Sequence, residues 1–229
     1  MFEKNLEFLT REEAAKIRGT KAAVIGLGAL GQMAAHLLVR SGFEHLVLAD
    51  GDRMSASNFN RQLYADILTL YRPKTEVVCE RLGDISPRLK LEAYPVYLDR
   101  TNGPDIVGDA DLILDCVDQI KTKLYLEELA EEKGIPLIHG AVNGWTGQAA
   151  VIFPGERVLS AVYANSAEQK ESALMITVNV IASVQAAEAV KYACGRTSRL
   201  RGRLLCVDLL NGEADDFAVK TDELPLLKR

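Results

Sequence analysis

The sequence predicts a single α/β domain on a doubly wound, largely parallel, Rossmann-like sheet, and three observations predict it. An apolar run, Ala22-Ala23-Val24-Ile25, passes directly into Gly26-Leu27-Gly28-Ala29-Leu30-Gly31. A second apolar run, residues 46–49, ends on Asp50. From there strand and helix patterns alternate with short connections, the order that gives parallel strands joined by crossover helices.

Residues 1–20 are expected to form an N-terminal helical arm, because Thr10-Arg11-Glu12-Glu13 has the spacing of a capping box. Strand 22–25 and the glycine turn lead into helix 29–41. Such a turn lets backbone approach a phosphate closely and sets it at a helix N-terminus, where free N–H groups and the helix dipole favour negative charge. Strand 46–49 then presents Asp50 about 20 residues after the turn, placed to accept hydrogen bonds from a ribose. An irregular ligand loop follows, then helices near 62–70 and 73–85, strands 90–95 and 111–117, helix 121–133, strands 136–139 and 148–153, helix 173–193 and strand 203–209. The nucleotide-binding domain so outlined spans 21–219. Residues 154–172 are the one long connection without an evident element, and a loop of that length in a compact domain commonly serves as a lid or partner clamp. It is expected as a crossover loop. Residues 220–229 form a tail, polar and then apolar at Leu224-Pro225-Leu226-Leu227, suited to packing on a neighbour.

At 229 residues, with 48% apolar and 26% charged, the chain can bury one good α/β core and needs no second domain. A net charge of -5 argues against general nucleic-acid binding. No apolar stretch is long enough for a membrane span, and residues 1–20 are too charged for a signal peptide. Helix 173–193 is the longest apolar segment, but Thr177, Asn179, Ser183, Gln185, Glu188 and Lys191 interrupt it. It suits a buried helix, with apolar residues on more than one face as at a subunit interface. The four cysteines show no pairing pattern, which together with the missing signal places the chain in a reducing, cytoplasmic compartment.

The residues after Asp50 decide which nucleotide chemistry is expected. In a dehydrogenase of this fold the pyrophosphate is held by backbone and dipole. Here Arg61 and then Arg72-Pro73-Lys74 follow the acid strand, and two or three cations near one phosphate tail suit a triphosphate. Later, Leu112-Ile113-Leu114-Asp115-Cys116-Val117-Asp118 reads as a buried strand ending in a carboxylate, where ligands of open α/β sheets bind. Asp118, nearer the strand's end, is the expected magnesium ligand; Asp115 is the alternative.

Val24 to Gly31, Asp50-Gly51-Asp52, Ser57-Asn58-Phe59-Asn60-Arg61-Gln62, Arg72-Pro73-Lys74 and Asp115-Cys116-Val117-Asp118, in that order, resemble the ThiF/MoeB/HesA family of adenylating enzymes, relatives of the ubiquitin-activating enzymes. The resemblance continues through Pro136-Leu137-Ile138-His139-Gly140, Gly147-Gln148 and the helix bearing Gln185, Glu188 and Lys191. It implies an adenylyltransferase that uses ATP and magnesium to adenylate the C-terminal Gly-Gly carboxylate of a small ubiquitin-like sulfur-carrier protein. It also implies a homodimer. On this resemblance Gly26, Gly28, Ala29, Leu30, Gly31 and Asp50 hold the ribose and adenosine side. Asp52, Asn58, Arg61, Gln62 and Lys74 surround the phosphates, and Asp118 binds magnesium, with Arg61, Lys74 and Asp118 carrying catalysis. Two other readings are a nicotinamide-dependent oxidoreductase and a catalytically degenerate nucleotide-binding partner protein.

The chain also departs from the family pattern, and its N-terminal Arg11 and Arg18 do not match the arginine-bearing arm of many relatives. Gln119 and Lys123 stand where the family typically has Asn and Arg, and Lys loses the bidentate fork. Many relatives carry two zinc-binding Cys-x-x-Cys pairs and a crossover-loop cysteine. Cys79, Cys116, Cys194 and Cys206 are scattered and residues 154–174 contain none, so neither zinc nor a covalent thioester on this chain is expected. Cys116 reads as a small core hydrophobe. Of the histidines, His36 and His45 read as structural or surface groups. His139 ends an apolar run near the expected cleft, structural unless it lines the channel for the carrier's tail. Trp145 is expected in a turn before strand 148–153.

Overall fold

The computed structural model describes residues 3–164, 166 and 172–220. In chain order its elements are α1 (Arg11–Gly19), β1 (Lys21–Ile25), α2 (Ala29–Ser41), β2 (His45–Ala49), α3 (Lys74–Gly83), β3 (Lys90–Tyr94), α4 (Gly103–Val107), β4 (Leu112–Asp115), α5 (Ile120–Lys133), β5 (Leu137–Asn143), β6 (Thr146–Ile152), α6 (Val158–Val162), α7 (Met175–Ala193), β7 (Arg203–Asp208) and β8 (Glu213–Ala218), with short 3-10 turns at Glu3–Glu7 and Ala56–Asn58.

Side chains alternate across a strand, so an all-apolar strand must be covered on both faces. Ala22 and Val24 of β1, Leu46 and Leu48 of β2, and Leu112 and Leu114 of β4 enter one core with α1, α2, α3 and α7. Their sequence neighbours Ala23, Ile25, Val47, Ala49 and Ile113 enter a second core with α4, α5 and α6. The result is three layers.

The sheet order is β3-β2-β1-β4-β5-β6-β7-β8. Strands β1 to β5 pair in parallel. Strands β6, β7 and β8 extend the sheet antiparallel from β5. The chain winds outward from β1 through β2 to β3 and returns to β4 on the other side of β1. That reversal opens the crevice where ligands of such sheets bind. The capping box expected at Thr10 is present: its hydroxyl accepts from the Glu13 N–H, and Glu13 accepts from the Thr10 N–H. Buried Ile17 seats α1 against the core.

Several elements differ from the sequence reading. Residues 62–70 form successive turns, not a helix. Asp66 Oδ1 accepts from the Leu68 and Thr69 N–H groups, and Thr69 Oγ1 takes the Asp66 N–H, so side chains replace a helical ladder. The strand expected at 111–117 ends on Asp115, leaving Asp118 in the loop beyond it. The long 154–172 connection holds the short helix α6; the expectation of a loop beyond it falls mainly on 165 and 167–171, outside the described residues. The tail from 221 also lies outside them. Strand β8 and helix α4 were not anticipated.

Candidate active site

The carboxyl ends of β1, β2 and β4 open onto a cavity of about 500 Å³. Gly26, Gly28, Ala29 and Leu30 form one wall, Asp50 and Asp52 a second, and Asn58, Arg61, Gln62 and Lys74 a third, with Asp118 and Gln119 opposite. Every residue that the family resemblance assigns to the nucleotide or the metal lines this space except Gly31. Gly31 instead lets α2 lie against its own turn: a Cβ there would sit 1.8 Å from the Gly26 carbonyl oxygen. Gly26 has φ +88, and a Cβ on it would meet the Cys116 carbonyl oxygen at 2.7 Å. No side chain caps the N-terminus of α2, so its dipole and first N–H groups suit an anion in the cavity.

Asp50 ties the walls together. Its Oδ2 accepts the Leu27 N–H at 2.7 Å and its Oδ1 the Asp52 N–H at 2.7 Å. Lys74, 5% exposed, donates from Nζ to Asp52 Oδ2 at 2.8 Å and lies 3.8 Å from Asp50 Oδ2. Tyr97 donates its hydroxyl to Asp52 Oδ1. Burial works against the Asp52 charge, yet hydrogen bonds from Lys74 and Tyr97 hold its carboxyl below the usual carboxylate value. The same bond to Asp52, with burial, pushes the Tyr97 hydroxyl up to about 12.

The amide and guanidinium groups are positioned by local turns. Asn58 Oδ1 accepts the Ser55 N–H at 2.9 Å, and Gln62 Oε1 accepts from Gln32 Nε2 at 3.0 Å. Arg61 Nη1 donates to Ser57 O at 2.6 Å and Asn60 Oδ1 at 2.9 Å. Among the described residues Arg61 forms no ion pair, so its charge is available to a ligand.

Asp118 is exposed on the loop after β4 and lines the cavity, whereas Asp115 does not. Asp118 therefore faces the ligand space from past the strand, not from its end as the sequence reading had it. Asp115 turns into the core, where Lys123 Nζ lies 3.3 Å from its Oδ2 and His139 Nδ1 lies 2.6 Å from the same oxygen. Lys123 is thus withdrawn from the cavity. His139 is fully buried and contributes to the lining of neither the cavity nor the groove on β5 to β8. Trp145 occupies the turn between β5 and β6, as expected.

Sequence reasoning missed Tyr97. Its ring lies over Gly51, where a Cβ would be 2.6 Å from the ring; the glycine between Asp50 and Asp52 was the available signal. A second groove of about 410 Å³ runs along β5 to β8 and shares Ala141 and Val142 with the first cavity. Gln148, Cys206, Asp208, Glu213, Asp215 and Phe217 contribute to its lining.

A glycine turn, a strand-end carboxylate and a cation group at a sheet reversal define an α/β protein with a nucleotide-type cleft. The chain belongs to the ThiF family, whose model matches residues 2–225. It is 30% identical over 200 residues to a molybdopterin-synthase adenylyltransferase from Haemophilus influenzae, covering 84% of this chain and 82% of that one. It is 30% identical over 187 residues to a sulfur carrier protein ThiS adenylyltransferase from Escherichia coli, covering 79% and 74%. Among solved structures, E. coli MccB with ATP superposes with a TM-score of 0.79 at 15% identity, over 90% of this chain and 66% of that one. At that identity the likeness shows the fold alone.

Proposed function

We propose that this chain is an ATP-dependent adenylyltransferase that activates the C-terminal Gly-Gly carboxylate of a small ubiquitin-like sulfur-carrier protein. The observation that carries this reading is the grouping of Arg61, Lys74 and Asp118 around the cavity that the glycine turn opens. Membership of the ThiF family and the names of its relatives support it. A nicotinamide dinucleotide would leave that group unexplained.

The carrier carboxylate is already ionised at neutral pH and needs no general base. Its oxygen attacks the α-phosphorus, the bond to the bridging oxygen breaks, and pyrophosphate leaves with the electron pair. Charge builds on the transferring phosphorus and the leaving group, so preorganised cations supply most of the rate. In our reading the α2 N-terminus and Asp50 hold the phosphate and ribose ends, and Asn58 and Gln62 donate from their amides. Arg61 and Lys74 neutralise the phosphates, with Lys74 exchanging Asp52 for phosphate oxygen. Asp118 would hold magnesium, which usually needs one or two protein carboxylates beside substrate phosphates and water. An exposed carboxylate on the cavity wall fits that demand, and the ion would supply charge neutralisation there.

The groove on β5 to β8, continuous with the cavity through Ala141 and Val142, is the path we assign to the carrier's tail. Burial raises the thiols of both Cys116 and Cys206, which supports transfer without a thioester on this chain. Cytoplasmic location and a homodimer complete the proposal; among the described residues no helix is long and apolar enough to cross a membrane. The test is exchange of labelled pyrophosphate into ATP. Exchange that needs magnesium and a carrier ending in Gly-Gly, and that collapses in Arg61→Ala, supports the reading. Carriers that elicit none, with NAD binding in place of ATP, would remove it.

A further inference from the structure

Asp115, Lys123 and His139 lie outside the cavity, and the chemistry above uses none of them. All three are buried, and an ion pair at that depth is weak evidence for stability, because desolvation offsets the attraction. Their placement gives a reason for the arrangement. Asp115 Oδ1 accepts the Val117 N–H at 3.2 Å, and Val117 lines the cavity next to Asp118. The Val117 nitrogen and the Cys116 carbonyl are also what a Cβ on Gly26 would strike. The backbone that Asp115 holds is therefore the surface on which the glycine turn rests.

Asp115 is itself held from three directions, its carboxylate by Lys123 and His139 and its backbone by Gln185. Lys123 Nζ reaches both its oxygens, at 3.4 and 3.3 Å, and anchors to Gly140 O at 3.1 Å. His139 Nδ1 meets Oδ2 at 2.6 Å, and the His139 Nε2 faces the Tyr163 hydroxyl at 3.4 Å. Gln185 of α7 donates to the Asp115 backbone carbonyl at 2.9 Å. Tyr163 directly follows α6 within the long connection, and also takes a hydrogen bond from Gln148 of the second groove.

We propose that Asp115 is a positioning residue for nucleotide binding: fixed by Lys123 and His139, it sets the Val117–Asp118 turn against the glycine turn and links that wall to the segment at Tyr163. The proposal rests on the adenylyltransferase reading, in which Asp118 faces the metal-bound phosphates. A carboxylate that only balances the Lys123 charge would have no such effect.

Two double variants separate these roles. Asp115→Leu/Lys123→Met removes both charges together, leaving no unpaired buried ion, and removes the acceptor for Val117. Asp115→Asn/Lys123→Met also removes both charges but keeps an amide oxygen for the Val117 N–H. We expect the KM for magnesium ATP in pyrophosphate exchange to rise about tenfold in the Leu variant, the scale seen when groups behind a ligand are lost, and to be largely rescued in the Asn variant. Equal KM values in the two variants overturn the proposal. Should the Leu variant not fold, amide hydrogen exchange of the wild-type protein decides it. A Val117 amide protected like those of β4 supports the proposal, and one exchanging as fast as the amides of Asp118 and Gln119 overturns it. Absence of exchange activity in the wild type would instead remove the parent reading, while the Val117 measurement still tests the hydrogen bond.

Discussion

His139 shows how a buried group reports its surroundings. Burial and the Lys123 ammonium lower its pKa, against the opposing pull of Asp115, so the folded ring takes a proton less readily than an unfolded one. As pH falls below about 6.5 the unfolded chain binds the extra proton and stability drops, by up to about 1.4 kcal/mol per pH unit. His36, lowered by burial and Arg40, adds in the same direction. Denaturant unfolding between about pH 6.5 and 5 should therefore show a slope that His139→Gln reduces; an unchanged slope would show that the ring is charged when folded. Glycines offer a second contrast. Gly31→Ala forces a methyl into the Gly26 carbonyl and should cost about 3 kcal/mol. Gly83→Ala, at the end of α3 with nothing within 4 Å, should be neutral or stabilising by about 0.5 kcal/mol. The wall residues Asp50, Asn58, Arg61 and Lys74 were legible in sequence because turns and strand ends deliver them from local segments. Tyr97 over Gly51 and Lys123 under Asp115 were not, since each depends on how separate segments meet.

At the scale of elements, the helix α6 is too short to persist by itself. Glu127 of α5 caps it, accepting the Leu159 N–H at 2.6 Å and the Ser160 N–H at 3.0 Å, while Val158 and Leu159 enter the core. Burial outweighs those bonds and raises the Glu127 carboxyl. Removing the cap strands buried donors at about 1–3 kcal/mol. Glu127→Ala should lower the unfolding midpoint and speed limited proteolysis within 157–163; a cleavage pattern like the wild type's would show that Val158 and Leu159 suffice. The same physics explains which elements the sequence revealed. Strands β1, β2 and β4 are buried on both faces and read as apolar runs. Strand β8 carries Glu213, Asp215 and Asp216, is mostly exposed and exists by pairing with β7, so no local pattern marks it. Residues 62–70 have helix-compatible composition, but the Asp66 and Thr69 side chains win the backbone donors.

For the whole molecule, ligand binding and stability are linked. The cavity draws on segments from the glycine turn, β2, the 50–62 loop, α3 and the turn after β4, so a nucleotide there would bind the folded chain and not the unfolded one. Ligand at about 100 times its Kd adds roughly 2.7 kcal/mol. For a domain of this length that raises the Tm by about 5–10 °C. Magnesium ATP should produce this shift and NAD should not, because a dinucleotide offers Arg61 and Lys74 no third phosphate. ATP without magnesium should give a smaller shift, as Asp118 then faces phosphate with no cation between them. Arg61→Ala should shrink the response to magnesium ATP without changing the Tm of the free protein, since among the described residues Arg61 hydrogen-bonds to Ser57 and Asn60 of its own loop. A shift with NAD alone would make the cation group incidental to the ligand and leave Asp118 without a partner.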